Sequence, residues 1–491
     1  MGRPGVSGTG TQWDLIVIGG GTAGIVASRT AAGLGARVAL VERAALGGDC
    51  LWTGCVPSKA LIAAAHHVTD ARRATGFGVS GVDPVVDFAA VMAHVKGAIA
   101  AIAPEDSAEA MQASGVQVVT GSARFTGPDT LDVDRDDRGL RLRFRRALIT
   151  TGAGPAVPPV PGLREAKPLT SDSAWNLQEL PDRLVVLGAG SIGCELGQAF
   201  ARLGSRVTLV EALPRILARE DPDAARLVRE AFDRDGIRVL AGHTVVGVSG
   251  GAGQDGTVVL EGPSGTSTIG FDELLVAVGR RPNTAGLEPS AAGVQLDDRG
   301  FVRVDDHLRT SNPRIWAAGD VTPLPPFTHT AGVFGSLAAT NAVLGLRRSV
   351  DLSAVPRVTF TDPEVAAVGR PTWADPGDPA PRTVTRGNER VDRAVVDDRT
   401  DGFSRLTLGK RSRIEGATVV GPRAGETLAE LTLAVRKHLS TTDLAGTIHP
   451  YPTYGDGPWN AAVADVRDRL ASPTARRVTA ALRRLRRGRS S

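Results

Sequence analysis

Continuous apolar runs closed by glycine turns dominate the first part of the chain. From Asp14 a run of Leu15–Ile18 is followed by a glycine-rich turn at Gly19–Gly24, a small-residue stretch with helical spacing, and a second apolar run ending on Glu42. An uninterrupted run bounded by glycine predicts a strand covered on both faces, as in a parallel sheet, so this segment reads as a βαβ unit. The order returns from Arg183, with the turn Gly188–Gly193, a helical stretch, and a run ending on Glu211. Two such units predict an α/β protein with two Rossmann-like dinucleotide-binding domains.

Elsewhere the period changes. Thr130–Arg146 alternates apolar and charged residues around Asp136–Gly139, which predicts a β-hairpin. A second β-rich stretch covers Arg238–Val278 around the turn Gly250–Gly256. Four prolines in Arg370–Arg382 mark a surface loop. Beyond about Val350, strand patterns such as Arg357–Phe360 precede a helical stretch at Ala424–Leu439, which predicts a separate α/β domain.

Composition narrows the class. The chain has 491 residues, 42% hydrophobic and 22% charged, which fits several globular domains and excludes a disordered or fibrous chain. Aromatics are only 4% while Gly numbers 59, so tightly turned backbone able to hold a flat cofactor is expected. The net charge of +4 suggests an acidic partner, but residues 472–491 carry seven Arg and no acid, so the body is net negative. That tail could form a short helix with Val478, Ala481, Leu482 and Leu485 on one face, suited to a membrane or nucleic-acid surface; a solvated, disordered tail is the simpler expectation. Three cysteines are too few for a secreted disulfide scaffold and suit a reducing, cytoplasmic location. The first residues lack a signal-peptide pattern, and no uninterrupted apolar run of about 18 residues is seen.

Each nucleotide turn carries its own chemistry. Gly19 permits the tight turn, Gly21 lets backbone approach a pyrophosphate, Gly24 allows close helix packing, and Thr22 and Ala23 open the helix whose N-terminus faces the anion. Glu42 can accept both hydroxyl hydrogens of an adenosine ribose. Gly188, Gly190, Ser191, Ile192 and Gly193 repeat the pattern with Glu211 as the terminal acid. An acid there repels a 2′-phosphate, so NADH is expected over NADPH; Arg206 and Arg215 lie near enough in sequence to soften that preference.

Directly after the first unit, Gly47–Lys59 holds Cys50 and Cys55 in a C-x4-C spacing before Pro57. Two cysteines so spaced can close a small disulfide ring, and a helix N-terminus at Cys55 would favour its thiolate. Two further metal ligands are missing nearby and no His pair has ligand spacing, so no metal site is expected.

These residues resemble the pyridine nucleotide-disulfide oxidoreductases, the flavoprotein family of dihydrolipoamide dehydrogenase, glutathione reductase and mercuric reductase. The resemblance extends over residues 14 to about 465 and includes Thr151-Gly152, Val278–Thr284, Ala317–Asp320 and Arg357–Gly369. It implies FAD in residues 14–155 and 280–349, NAD(P)H in 156–279, and an α/β dimerisation domain in 350–471, between a flexible N-terminus at 1–13 and the basic tail at 472–491. Gly48, Lys59, Thr151, Gly152, Gly319 and Asp320 would contact FAD, with Asp320 accepting from its ribityl chain, and Gly279 and Arg280 would also bind a cofactor. The implied reaction carries hydride from NADH to the flavin and on to a Cys50–Cys55 disulfide. Cys55 would be the thiolate beside the flavin, and Cys50 the exposed thiol that attacks a small acceptor. Lys59 would stabilise charge at the flavin, with Glu195 as its partner. A homodimer would complete each active site.

The pattern breaks near the C-terminus. Where disulfide reductases of this family carry a His-Pro-Thr segment and a Glu, this chain has Tyr451, Pro452 and Thr453, with Asp456 in place of the Glu. A phenol titrating near 10 is a much poorer proton shuttle at neutral pH than an imidazole near 6.5, which argues against dihydrolipoamide as substrate. His449 could substitute, or pack at the dimer interface. A Tyr here resembles mercuric reductases, yet no cysteine follows Cys194 to hand over a metal, and Cys194 reads as a small buried residue. The leading expectation is an NADH-dependent flavoenzyme acting on a disulfide or another small acceptor. Mercuric reductase, dihydrolipoamide dehydrogenase and a non-enzymatic redox-sensing flavoprotein are the alternatives.

Overall fold

The computed structural model describes residues 12–80, 83–135, 139–251, 255–374, 377 and 379–487. Contacts divide the chain into two compact units, residues 1–212 with 242–350, and residues 213–241 with 351–491.

In the first unit, strand β1 (Gln12–Ile18) begins inside the segment expected to be flexible, because Trp13 is buried and the Arg37 guanidinium stacks 5.0 Å above its ring. Helix α1 (Thr22–Gly33) leads to strand β2 (Val38–Glu42), parallel to β1, with Leu15 opposite Val38 and Ile18 opposite Val41. Successive strand residues point to opposite faces. Leu15 and Val17 enter one core cluster and Ile16 and Ile18 the other, all buried, which is why this strand is apolar throughout.

Two helices, α2 (Gly48–Trp52) and α3 (Cys55–Arg73), carry the cysteine segment. Helices α4 (Phe88–Ile102) and α5 (Ala108–Ala113) precede strands β3 (Val116–Thr120), β4 (Ser122–Gly127), β5 (Thr130–Asp134) and β6 (Leu140–Ile149). The strand order is β3-β2-β1-β6-β5-β4. The expected hairpin is β5 against β6, antiparallel; residues 136–138 of its turn lie outside the described residues. With ten residues, β6 pairs β5 at its start and Ile315–Ala317, in parallel, at its end.

One helical stretch, Phe88–Ala113, reaches the length and mean hydropathy (1.2) of a membrane span, although Lys96 interrupts its apolar run. Pro104 interrupts the stretch, and Phe88, Met92, Val95 and Ile99 are buried in the protein. Helix Thr328–Leu344 lies against α1 so closely that a Cβ at Gly335 would stand 2.4 Å from the Ala23 carbonyl oxygen.

The second βαβ unit comprises Arg183–Leu187, helix Ser191–Leu203 and Arg206–Glu211, its strands parallel and extended on the other side by Glu273–Val276 and Leu169–Thr170. The β-rich stretch also contributes a three-stranded antiparallel sheet of Thr244–Ser249, Gly256–Gly262 and Gly265–Phe271. Residues 252–254 of its first turn lie outside the described residues.

The second unit is built on a five-stranded antiparallel sheet in the order Arg357–Thr359, Glu364–Gly369, Ile414–Gly421, Phe403–Leu408 and Thr383–Gly387. Helices Ala424–Arg436 and Asp456–Ala471 bury Leu428, Leu431, Ala461 and Ala462 into its core cluster. Residues 213–241 belong to this unit through polar contacts. Arg357 Nε lies 2.8 Å from Glu220, Arg405 reaches Asp221 at 2.7 Å and Asp223 at 2.8 Å, and the Thr372 hydroxyl donates to Asp221 at 2.6 Å. Residues 473–487 form a helix.

Candidate active site

The site is assembled in the first unit around the turn after β1. Gly19 has φ +105°, a left-handed conformation that favours glycine, and a Cβ there would sit 2.5 Å from the Thr150 oxygen. At Gly24 a Cβ would sit 1.9 Å from the Gly19 oxygen. Glu42 does more than terminate β2: its carboxylate accepts from the Gly20 N–H at 2.6 Å and the Ala44 N–H at 2.7 Å, bracing the loop at a charged edge. Thr22 and Ala23 begin α1, whose N-cap Gly21 has no side-chain cap, leaving first-turn N–H groups for an anion. In the second unit of sequence, Glu211 braces its loop in the same way, accepting from the Ala189 N–H at 2.7 Å. Gly188 has φ +94°, a Cβ at Gly193 would lie 1.9 Å from the Gly188 oxygen, and Gly190, the N-cap before Ser191 and Ile192, has open space around it.

The glycines ahead of the cysteines have a definite task. Gly48, at φ +62°, packs on the first nucleotide turn, where its Cβ would come within 2.6 Å of the Gly21 Cα. The kink between α2 and α3 passes through Gly54, where a Cβ would be 2.9 Å from the Asp49 oxygen. Trp175 clamps this kink from outside, its Nε1–H shared between the Thr53 oxygen at 2.8 Å and the Ser171 oxygen at 2.7 Å.

Cys50 and Cys55 are both free thiols in this structure and lie within hydrogen-bonding reach of each other. Cys55 is the first residue of α3, and its Sγ is 3.3 Å from the Thr328 hydroxyl. The hydrogen bond from Cys50, then that from Thr328 and the Lys59 charge, outweigh burial and lower Cys55 to about 6. The same pairing raises Cys50, with burial adding to it. Accessibility in the single chain runs opposite to the expectation for the pair: Cys55 is exposed and Cys50 half-buried, since Cys55 opens α3 while Cys50 lies inside the short α2.

One turn along α3, Lys59 Nζ is 2.7 Å from Glu195 Oε2; Glu195 is buried in helix Ser191–Leu203. Residues of the later segments close the remaining side. Arg280 bonds the Asp49 carboxylate and the Ala153 oxygen, and its Nε is 3.3 Å from Asp320. Burial raises Asp320 to about 6 against the pull of Arg280. Gly319 at φ +80° and Gly279 at φ +142° shape the backbone beside these two residues. Thr328 and Asp49 were missed by sequence reasoning; the only local signal was that Asp49 adjoins Cys50.

These residues fit a dinucleotide such as FAD. Thr151 Oγ1 is buried without a hydrogen-bond partner among the described residues, and the following Gly152 has φ +68°. A cavity of about 400 Å³ opens beside Glu42, lined also by Leu46, Trp52, Pro104, Asp106 and Thr120.

The second unit holds the residues where the pattern broke. Tyr451 is exposed and its hydroxyl donates to Asp392 at 2.6 Å. Asp456, the residue expected to orient it, is buried at the start of its own helix and accepts instead from the Thr453 N–H at 3.3 Å. Its side chain turns to cap the local backbone, and Asp392 takes the phenol. That bond raises Tyr451. His449 is tied within its own chain, with Nδ1 3.0 Å from the Thr447 oxygen and Nε2 2.9 Å from both oxygens of Glu430.

The sequence signature of the pyridine nucleotide-disulphide oxidoreductases matches residues 13–335, and that of their dimerisation domain matches residues 355–462. The chain belongs to this family. Mercuric reductase from Streptomyces lividans is 38% identical over 450 residues, covering 91% of this chain and 94% of that protein. Dihydrolipoyl dehydrogenase from Geobacillus stearothermophilus is 36% identical over 458 residues, covering 92% and 96%. Among solved structures, LpdA from Mycobacterium tuberculosis superposes with TM-score 0.83 at 30% identity, covering 92% of this chain and 99% of that one. The Cu(II) complex of the HOCl-induced flavoprotein disulfide reductase RclA from Escherichia coli gives 0.81 at 27%, covering 93% and 100%. As a pyridine nucleotide-disulfide oxidoreductase, the chain is an FAD-dependent enzyme that draws on NAD(P)H, with the family's α/β fold and a dimerisation domain.

Proposed function

We propose that this enzyme is a homodimer that carries electrons from NADH through FAD and a Cys50–Cys55 disulfide to a small acceptor, a disulfide in the leading case. The observation that carries the reading is the Cys55 sulfur at the N-terminus of α3, 3.3 Å from Thr328 and lowered to about 6. When bound, FAD supplies the two-electron relay between nicotinamide and disulfide.

The chain's residues then do the following. Glu42, Thr22, Ala23, Gly48 and the Thr151-Gly152 backbone, together with Arg280 and Asp320, would hold the cofactor. Lys59, backed by Glu195, places a cation beside the cysteine helix where negative charge develops. NADH is favoured over NADPH for a stated reason: Glu211 repels a 2′-phosphate, Arg206 is paired with Asp182, and Arg215 spends its guanidinium on the Leu217, Ala218 and Glu220 oxygens.

In the reduced pair, Cys50 donates its hydrogen bond to the Cys55 thiolate. As Cys50 attacks an acceptor disulfide, its proton passes to Cys55 and one acceptor thiolate leaves. That leaving thiolate takes the proton from Cys55, whose sulfur attacks Cys50; the Cys50–Cys55 bond reforms and the second acceptor thiolate departs, taking a proton from water. Two electrons leave the cysteine pair and two thiols form. Such a cycle uses Cys55 as the base that the family's histidine would otherwise be, while Tyr451, kept protonated by Asp392, stays a neutral group for positioning the acceptor.

Mercuric ion as acceptor is the second reading, favoured by Tyr451 and by relatives named mercuric reductase. A panel of disulfides and thiol-complexed Hg(II) offered to the NADH-reduced enzyme tests both. Full turnover by a Cys50→Ser variant would remove the cysteine step from the mechanism. The low count of three cysteines supports a reducing, cytoplasmic setting.

A further inference from the structure

The helix Pro473–Arg487 takes no part in the chemistry above. It has fifteen residues, none of them buried, and spans about 22 Å at 1.5 Å per residue. Val478, Leu482 and Leu485 are spaced i, i+4, i+7 and share one face, where they remain 53%, 59% and 67% exposed. Arg476, Arg477, Arg483, Arg484, Arg486 and Arg487 occupy the rest of the surface at helical spacing, and no acid occurs from Ser472 onward.

We infer that this helix docks the enzyme on a bilayer rich in anionic phospholipid, lying in the plane of the interface. The two faces together select the partner. Anionic headgroups answer the arginines, and the acyl boundary takes up the three apolar side chains, each more than half exposed. A nucleic acid would answer only the charge and leave the apolar stripe in water. A second copy packed stripe to stripe would bring two rows of arginine alongside each other. An anionic bilayer satisfies both faces at once.

The test uses the full-length, FAD-loaded enzyme in vesicle flotation, with phosphatidylcholine alone and with phosphatidylcholine plus phosphatidylglycerol. Binding is expected only to the anionic vesicles, weakening with salt and by about fivefold for each arginine changed to glutamine. Leu482→Asp and Leu485→Asp should abolish flotation, as should deletion of residues 472–491, with NADH-dependent turnover in solution unchanged. The inference is overturned if the anionic vesicles do not retain the enzyme. It is equally overturned if the Leu→Asp variants float like the parent, if a nucleic-acid duplex binds parent and Leu→Asp variants alike and more tightly than vesicles do, or if deleting the tail breaks the dimer.

Discussion

Lys59 Nζ stands 2.7 Å from Glu195 Oε2, joining the cysteine helix to the helix that opens the second nucleotide turn. The pair links the two halves of the proposed electron path, and Glu195 is almost fully buried. Glu195→Gln keeps the shape and a hydrogen bond while removing the charge. Flavin reduction by NADH, followed by stopped-flow absorbance, is expected to slow by at least about tenfold with melting temperature nearly unchanged. Lys59→Met leaves a buried carboxylate without this ammonium, so it should slow the same step and also lower stability by about 1–2 kcal/mol, less than for a fully buried pair because Lys59 is partly exposed, read from denaturant unfolding.

Thr328 contributes the hydroxyl that helps lower Cys55. Thiolate absorbance of the reduced enzyme should titrate with a midpoint of about 6, and Thr328→Val should move the midpoint upward. The sign for stability follows. Folding lowers the Cys55 value, so its contribution is fully present above the ordinary thiol value of about 8.5 and is lost as pH falls through about 6. Melting temperatures of the reduced parent and a Cys55→Ser variant should therefore converge below that pH.

Asp392 holds the Tyr451 hydroxyl at 2.6 Å and keeps it protonated. If the neutral phenol positions the acceptor, Tyr451→Phe raises the KM for the acceptor by about tenfold without affecting flavin reduction by NADH. Asp392→Asn removes the carboxylate that raises the phenol, so the Tyr451 absorbance titration should move to lower pH. An equal loss in both half-reactions would instead mark a structural role.

At the second nucleotide turn, Glu211→Ala removes the carboxylate that braces Ala189 and repels a 2′-phosphate. The ratio of kcat/KM for NADH to that for NADPH should fall by about tenfold or more, through a higher KM for NADH.

Gly335→Ala tests packing. The new Cβ would stand 2.4 Å from the Ala23 oxygen and must push the helix Thr328–Leu344 away from α1. A cost of about 1–3 kcal/mol is expected in unfolding experiments, together with weaker retention of FAD, because Thr22 and Ala23 open α1.

Both βαβ units, the hairpin and the cysteine segment could be read from the sequence because each signal is local. An apolar run, a glycine turn and a terminal acid lie within some thirty residues, and the cysteines are five apart. Even there, the sequence pointed to Gly48 only as a cofactor contact, whereas the structure gives it the close approach to Gly21, a contact between separate segments.

The sequence alone determined the α/β class, two nucleotide cradles and a dithiol beside the first, since these follow from short-range periodicity and the special backbone of glycine. Only the tertiary structure decided that Thr328 faces Cys55, that Arg280 bridges Asp49 and Asp320, and that Asp392 takes the Tyr451 phenol. It also assigned residues 213–241 to the second unit. Each of those choices sets one polar group among several chemically equivalent candidates far apart in the chain. The selection is made by packing, which brings one of them within bonding distance and leaves the others in solvent.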